Sequence, residues 1–219
     1  MDKLRLRFEK TGRAAYISHL DLMSTVQRAF SRAGYRLRYS EGFNPRSQIS
    51  IALPLSVGAE SLCEILDFKL AEEPALGELP GRLTAALPEG IRVIEVYEPQ
   101  RKIRELKWLG VSGVFEYDAR PAGAMAEELT RFYAQKELVI LKRTKRGEGE
   151  TDIRPAINSV AFEAAEGAVV LSAVVSAQEP TLNPELLAEA LRQRAPGLAP
   201  DFARFRRTET YDAKLGIFR

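Results

Sequence analysis

Residues 3–34, KLRLRFEKTGRAAYISHLDLMSTVQRAFSRAG, hold the pattern that decides the fold. From Leu4 to Phe8 every second residue is apolar and the residues between are cationic. A period of two residues is typical of a strand with one buried face. Ser18 then stands where a helix N-cap is expected, apolar residues follow at helical spacing, and Gly34 ends the pattern. The stretch therefore predicts a strand followed by an amphipathic helix.

The residues after this helix complete a β-α-β-β-α-β order, which is the order of a ferredoxin-like unit. The patterns predict an extended piece and then strand, strand, helix and strand, at residues 35–39, 49–55, 66–70, 76–87 and 91–97. We therefore assign residues 1–98 to a first domain. Residues 99–107 are charged and poorly patterned, and we interpret them as a linker.

The remainder, residues 108–219, repeats this order with additions. Strands are predicted at residues 108–117, 137–144, 152–162, 168–176 and 204–211. Helices are predicted near 121–133 and from 183 onward, and a polar loop with two glycines at 145–150. The fold class is therefore α+β, with two ferredoxin-like halves built on antiparallel sheets and an elaborated second half.

The composition is that of a globular protein with a real core, since 45% of the 219 residues are hydrophobic and 28% are charged. A net charge of +2 permits nucleic-acid binding without arguing for it, so the placement of the charges must decide. Cys63 is the only cysteine, and no apolar run approaches the roughly 20 residues that cross a bilayer. The first residues also lack the apolar stretch of a signal peptide. We expect a cytoplasmic protein with no membrane association.

Several chemistries lack the residues that they need. A radical SAM enzyme holds its iron–sulfur cluster with three cysteines, and Cys63 and His19 are too few for a zinc site. The sequence contains no Walker loop and no glycine-rich dinucleotide motif after a strand. It therefore predicts no metal and no cofactor, and it favours a binding protein over an enzyme.

Four short segments carry a family resemblance. Residues 7–12 and 16–23 read RFEKTG and YISHLDLM, and residues 39–45 and 50–55 read YSEGFNP and SIALPL. Together they resemble the bacterial radical-SAM-linked proteins, a domain of unknown function. Members occur fused to, or encoded beside, cobalamin-binding radical SAM proteins, and often near an RNase E/G-type ribonuclease and a ribosomal protein. The resemblance implies an accessory role beside a radical SAM partner.

The segment from Gly42 to Arg46 is a candidate ligand-binding loop. Gly42 permits a positive φ or a close backbone approach, Phe43 can stack on a base, Asn44 can hydrogen-bond one, and Arg46 adds a cation. The alternative is a tight connection in which Phe43 fills the core and Asn44 forms a turn.

Two smaller groups are candidates for catalysis. His19 follows Ser18 and lies near Tyr16, so it could act as a general acid–base or contact RNA; the alternative is a surface position in a helix that Ser18 caps. Asp152 and Arg154 resemble an Asp–Arg pair of pseudouridine synthases, although we prefer to interpret them as a surface ion pair.

Three groups of cations are candidates for phosphate contacts: Lys3, Arg5 and Arg7; Arg28, Arg32, Arg36 and Arg38; and Arg204, Arg206 and Arg207. The first group is expected on the open face of the first sheet; the alternatives are a solvated face or pairing with acids of the second half. The RNA hypothesis needs Lys3, Arg5, Arg7, Arg46 and Arg206 to converge on one groove, with Phe43 at its edge.

The sequence leaves three functions open. The first is a non-catalytic accessory protein of a radical SAM system that binds RNA or an RNA–protein assembly. The second is a metal-independent RNA-processing enzyme, resembling the CRISPR repeat-processing endoribonucleases, that uses His19, Tyr16 and Ser18. The third is a protein–protein module that docks a radical SAM protein.

Overall fold

The computed structural model of the chain describes residues 3–144 and 147–219. The chain divides into two compact units, one reaching to Ile103 and also containing Arg219, the other spanning Arg104–Phe218. The division falls within the segment 99–107, where the sequence predicts a linker. None of the helices in the described parts of the chain is long and apolar enough to cross a lipid bilayer.

The first unit has the element order that the sequence predicts. In chain order it contains β1 (Leu4–Lys10), α1 (His19–Arg32), β2 (Ile49–Ile51), β3 (Glu60–Phe68), α2 (Leu79–Ala86) and β4 (Ile91–Tyr97). Its strands pair antiparallel in the order β4–β1–β3–β2. The predicted strand at residues 49–55 is shorter than expected, which agrees with Pro54, because proline has no N–H to donate to a ladder.

Helix α1 packs its apolar stripe onto this sheet. Val26 and Phe30 are buried, and the Phe30 ring lies 4.9 Å from the ring of Phe68 on β3. Burying one such aromatic side chain contributes about 1.5–3 kcal/mol. The predicted cap is confirmed, since Ser18 Oγ accepts the backbone N–H of Asp21 at 3.2 Å. The sequence therefore predicts both the start of α1 and the face that it buries.

Gly90, just before β4, is a position where only glycine fits. Its φ is +88°, and a Cβ there would lie 2.4 Å from the carbonyl oxygen of Thr11. We expect Gly90→Ala to lower the free energy of unfolding by about 1–3 kcal/mol, because strain and the clash act together. The measurement is urea unfolding.

The control is Gly81→Ala in α2, where an added Cβ meets nothing within 4 Å. That change is expected to stabilise the protein by about 0.5–1 kcal/mol, since alanine forms helix better than glycine. Equal effects at Gly90 and Gly81 would contradict the argument.

The second unit contains more strands. In chain order it has β5 (Trp108–Glu116), α3 (Ala122–Tyr133), β6 (Val139–Thr144), β7 (Gly147–Asp152), β8 (Ile157–Ala165), β9 (Ala168–Ser176), α4 (Glu185–Arg194) and β10 (Phe202–Tyr211). Its larger sheet has the order β10–β5–β9–β8, and β6 and β7 form a separate hairpin. Without the hairpin, both units share one element order and one sheet order.

Two predictions about this unit are corrected. Residues 147–150 of the predicted loop belong to β7, while residues 145 and 146 lie outside the described residues. The predicted strand 152–162 starts only at Ile157, because Arg154–Ala156 forms a 3-10 helix. Pro155 within it has no N–H to donate to a ladder.

A cluster of aromatic rings packs around Phe115 in the second unit. Phe115 on β5 lies 5.9 Å from Phe205 and 6.3 Å from Phe162, measured between ring centroids. Burial raises the pKa of Tyr117 to about 12. Its hydroxyl donates a 2.9 Å hydrogen bond to the Leu198 carbonyl, which ties the segment after α4 to the sheet.

Candidate functional site

The cations of β1 do not form the open face that the sequence predicts. Arg5 and Arg7 are only 1% and 7% exposed, so the prediction is wrong for both. The cross-strand register explains why, because Asp67 of β3 lies opposite Arg5 and Glu95 of β4 lies opposite Arg7. Arg5 Nε donates to Asp67 at 2.6 Å, and Arg7 Nη1 donates to Glu95 at 3.4 Å. Lys3, half exposed, reaches the same Asp67 carboxylate at 2.5 Å.

The C-terminal cations belong to the second unit. Arg206 is exposed on β10, and Arg204 Nη2 donates to Glu116 at 2.6 Å. The predicted convergence of Arg206 with cations of the first unit stays a prediction.

The group around His19 lies at the start of α1. Besides accepting the Asp21 N–H, Ser18 Oγ donates to the Asp21 carboxylate at 2.7 Å. The Ser18 hydroxyl therefore caps α1, which is the alternative to a catalytic role for this residue. Tyr16 is 73% exposed and His19 is partly exposed. Among the hydrogen bonds of the described residues, none joins His19 to Tyr16 or Ser18.

The side chains of Asp152 and Arg154 bind backbone groups instead of each other. Asp152 Oδ1 accepts the backbone N–H groups of Leu138 and Arg154 at 2.8 and 3.0 Å. The Arg154 guanidinium donates to the carbonyl oxygens of Gln135 and Ile157 at 3.2 and 2.8 Å. The expected surface ion pair is therefore replaced by contacts that close the base of the β6–β7 hairpin.

The segment after α1 is held against the end of β3. The Arg38 N–H donates to the Lys69 carbonyl at 2.8 Å, and the Ala71 N–H donates to the Arg36 carbonyl at 2.9 Å. Leu37 between them is buried in the core. Because an extended chain alternates its side chains, this anchoring turns Arg36 and Arg38 to the surface, and both are exposed.

A groove of about 740 Å³ lies between α1 and this segment. We call it the arginine groove. Its walls include Gln27, Arg28, Ser31, Tyr35, Arg36 and Tyr39. Tyr39 is 57% exposed and pairs with Ser47 across a short ribbon formed by residues 38–40 and 46–48. Ser47 Oγ accepts a hydrogen bond from Gln27 Nε2 at 2.9 Å. The groove is therefore anchored on both sides, with an aromatic ring on one wall.

The candidate loop projects from the end of the same ribbon. The Ser40 N–H donates to the Arg46 carbonyl at 2.8 Å, and the Arg46 N–H donates to Ser40 Oγ at 3.0 Å. Gly42 has a φ of +121°, which glycine adopts without strain. Phe43 is fully exposed at the tip, so the alternative in which it fills the core is wrong. Asn44 is also exposed.

The segment that contains the groove and the loop is strongly cationic. Residues 28–46 contain five arginines and one acid, Glu41, a net charge of +4. Arg32 donates to the Ala86 carbonyl at 2.5 Å, which is a structural contact between the helices. Arg28, Arg38 and Arg46 are exposed, and their guanidinium groups make no hydrogen bond or ion pair within residues 3–144 and 147–219. These three cations are available to a ligand.

The aromatic walls of the groove, Tyr35 and Tyr39, were not among the predicted site residues. Their signal is present in the sequence as the alternation Tyr35-Arg36-Leu37-Arg38-Tyr39, in which tyrosine and arginine interleave. Aromatic residues beside cations are typical of surfaces that bind single-stranded nucleic acid. The pattern is also that of a plain strand, and only the position of α1 gives it a groove.

A similar fold occurs among solved structures at low sequence identity. A chain in the crystal structure of a Cbf5-Nop10-Gar1 complex is 11% identical with a TM-score of 0.52, over 94% of this chain and 48% of that chain. This protein thus spans about half of that chain, and the likeness shows the fold alone. A protein from Galdieria sulphuraria is 10% identical with a TM-score of 0.27, over 94% and 97% of the two chains.

Sequence comparison identifies a family. A search of curated proteins found no match. A family model described as "Uncharacterized protein conserved in bacteria (DUF2344)" matches residues 3–184, a span that includes all of the first unit's strands and helices. The chain therefore belongs to the DUF2344 family of bacterial proteins.

Proposed function

We propose that the protein is a non-catalytic accessory protein that binds RNA through the arginine groove and the neighbouring loop of its first unit. The main supporting observation is that exposed arginines with no partner in the described parts of the chain occur together with exposed aromatic rings on one hydrogen-bonded scaffold. The buried Arg5 and Arg7 have no part in this proposal.

The electrostatic support comes from Arg28, Arg38 and Arg46. An exposed guanidinium that is not committed to a carboxylate is free to bind a phosphate in a bidentate geometry. Each phosphate neutralised releases counterions, so binding should weaken steeply as salt rises. A surface on which acids matched the arginines would show little of this dependence.

The aromatic support comes from Tyr39 and Phe43. Base stacking on an aromatic side chain tolerates any sequence, because every base has a π-face. Phe43 lies exposed at the tip of a hydrogen-bonded loop, so it does not contribute the burial free energy that a phenylalanine usually adds to folding. A stacked base would recover part of that burial in the complex.

For the partner, the proposal is a radical SAM protein to which the bound RNA is presented. The resemblance of residues 7–23 and 39–55 to radical-SAM-linked proteins supports it. Copurification of the two proteins that survives nuclease treatment, with no RNA binding by this protein, would favour a docking module instead.

The test is a titration of fluorescein-labelled, unstructured RNA, followed by fluorescence anisotropy at several salt concentrations. We expect micromolar or tighter binding at low salt. The plot of log affinity against log salt should fall by about 0.7 for each phosphate contact. Absence of binding at low salt would remove the proposal.

A further inference from the structure

We infer that the arginine groove holds one unpaired nucleotide of the RNA, with its base stacked on Tyr39 and its phosphates held by Arg28 and Arg36. This inference rests on the proposed function and adds to it the form of RNA that the protein selects. It predicts a preference for single strands over duplexes, which electrostatic attraction alone does not give.

The size of the groove fits one nucleotide. Its volume of about 740 Å³ lies inside the range of about 300–1,000 Å³ that is usual for small-molecule sites. In a duplex the bases are stacked and paired inside the helix, so their faces cannot reach a ring on a groove wall. A base can enter only from a single strand, a loop or an end.

The walls of the groove offer the two kinds of contact that a nucleotide makes, an aromatic ring for its base and a cation for its phosphate. Tyr39 offers an exposed ring on the ribbon side, and Arg28 offers a cation on the helix side.

Arg36 is held in a contact that a phosphate can replace. It forms an ion pair with Glu72, and both side chains are more than 70% exposed. Exposed ion pairs contribute little to stability. Replacing the Glu72 carboxylate with an RNA phosphate as the partner of Arg36 therefore costs little free energy. Glu72 therefore competes with the RNA for Arg36, and removing its charge should tighten binding.

The outer arginines, Arg38 and Arg46, lie outside the groove. Tyr39 lines the groove, and its cross-strand neighbour Ser47 contacts Gln27 of α1. Arg38 and Arg46 are exposed and are not among the residues that line it. The two outer arginines can bind phosphates of either single-stranded or double-stranded RNA, whereas the groove selects the unpaired base.

The experiment compares one RNA sequence as a single strand and as a duplex, in wild type and in variants of Tyr39. Wild type should prefer the single strand by about 10-fold or more, since stacking contributes this much per base. Tyr39→Phe should keep the preference and Tyr39→Ala should lose it, while duplex affinity stays unchanged in both. A single strand carrying 2-aminopurine should show quenched fluorescence with wild type and Tyr39→Phe.

A second pair of variants tests the competition at Arg36. Glu72→Gln should bind the single strand several-fold more tightly than Glu73→Gln, which removes the same charge from the exposed neighbouring residue. Equal binding of single strand and duplex, with no effect of Tyr39→Ala or of Glu72→Gln relative to Glu73→Gln, would overturn the inference and leave RNA binding intact. Absence of any RNA binding would instead overturn the proposed function, and the inference with it.

Discussion

Asp67→Ala is expected to lower the free energy of unfolding by about 3–5 kcal/mol, the cost of removing one partner of a buried ion pair. Asp67 and Arg5 are 4% and 1% exposed, and the Arg5 Nε and Nη2 atoms donate to the carboxylate at 2.6 and 3.2 Å. Water cannot reach that depth to solvate the guanidinium in place of the carboxylate. The measurement is urea unfolding followed by circular dichroism.

Lys3→Ala is the matched control for this prediction. Lys3 contacts the same carboxylate at 2.5 Å, but its side chain is 50% exposed. Its removal is expected to change stability by about 1 kcal/mol or less, as for other exposed ion pairs. If Asp67→Ala and Lys3→Ala were equally stable, the buried Arg5–Asp67 pair would not be the source of stability that we assign to it.

The triple variant Arg28→Glu/Arg38→Glu/Arg46→Glu is expected to bind single-stranded RNA on the order of 100-fold more weakly than wild type at low salt. Each substitution removes a cation that has no partner among the residues that the structure describes, and it adds a charge that repels phosphate. The slope of log affinity against log salt should become shallower by about 2, or about 0.7 for each lost contact with a single strand. Anisotropy titrations at several salt concentrations measure both quantities.

A second triple variant, Arg104→Glu/Lys136→Glu/Lys214→Glu, changes the net charge by the same amount at exposed positions of the second unit. It should retain most of the affinity and most of the salt slope. Equal losses in the two variants would mean that total charge, and not the surface of the first unit, attracts the RNA. All six positions are exposed, so unfolding curves should differ little between the variants.

Periodicity predicts the element order of the first unit, although the strand expected at 66–70 spans Glu60–Phe68. The alternation in β1, the Ser18 cap and the apolar stripe of α1 all depend on residues within a few positions of one another, and the structure confirms them. The strand expected at 152–162 was wrong at its start because Pro155 interrupts the pairing, a proline that the apolar pattern alone does not register.

The candidate site was predicted in part. Residue types alone indicate the loop from Gly42 to Arg46 as a candidate, whereas only the structure shows that Phe43 lies in solvent. The groove beside it cannot be predicted, because Arg28 and Tyr39 line the same groove only after α1 packs on the sheet. Packing of this kind joins residues that no local pattern relates.

Local order of strands and helices follows from the amino-acid sequence alone, because hydrophobic periodicity and capping act between near neighbours. The burial of Arg5 and Arg7 was decided by the tertiary structure. Their partners Asp67 and Glu95 lie 62 and 88 residues further along the chain. Strand register brings these acids opposite the arginines, and register is a property of the assembled sheet. The same cationic pattern that is typical of an open face therefore became part of the interior.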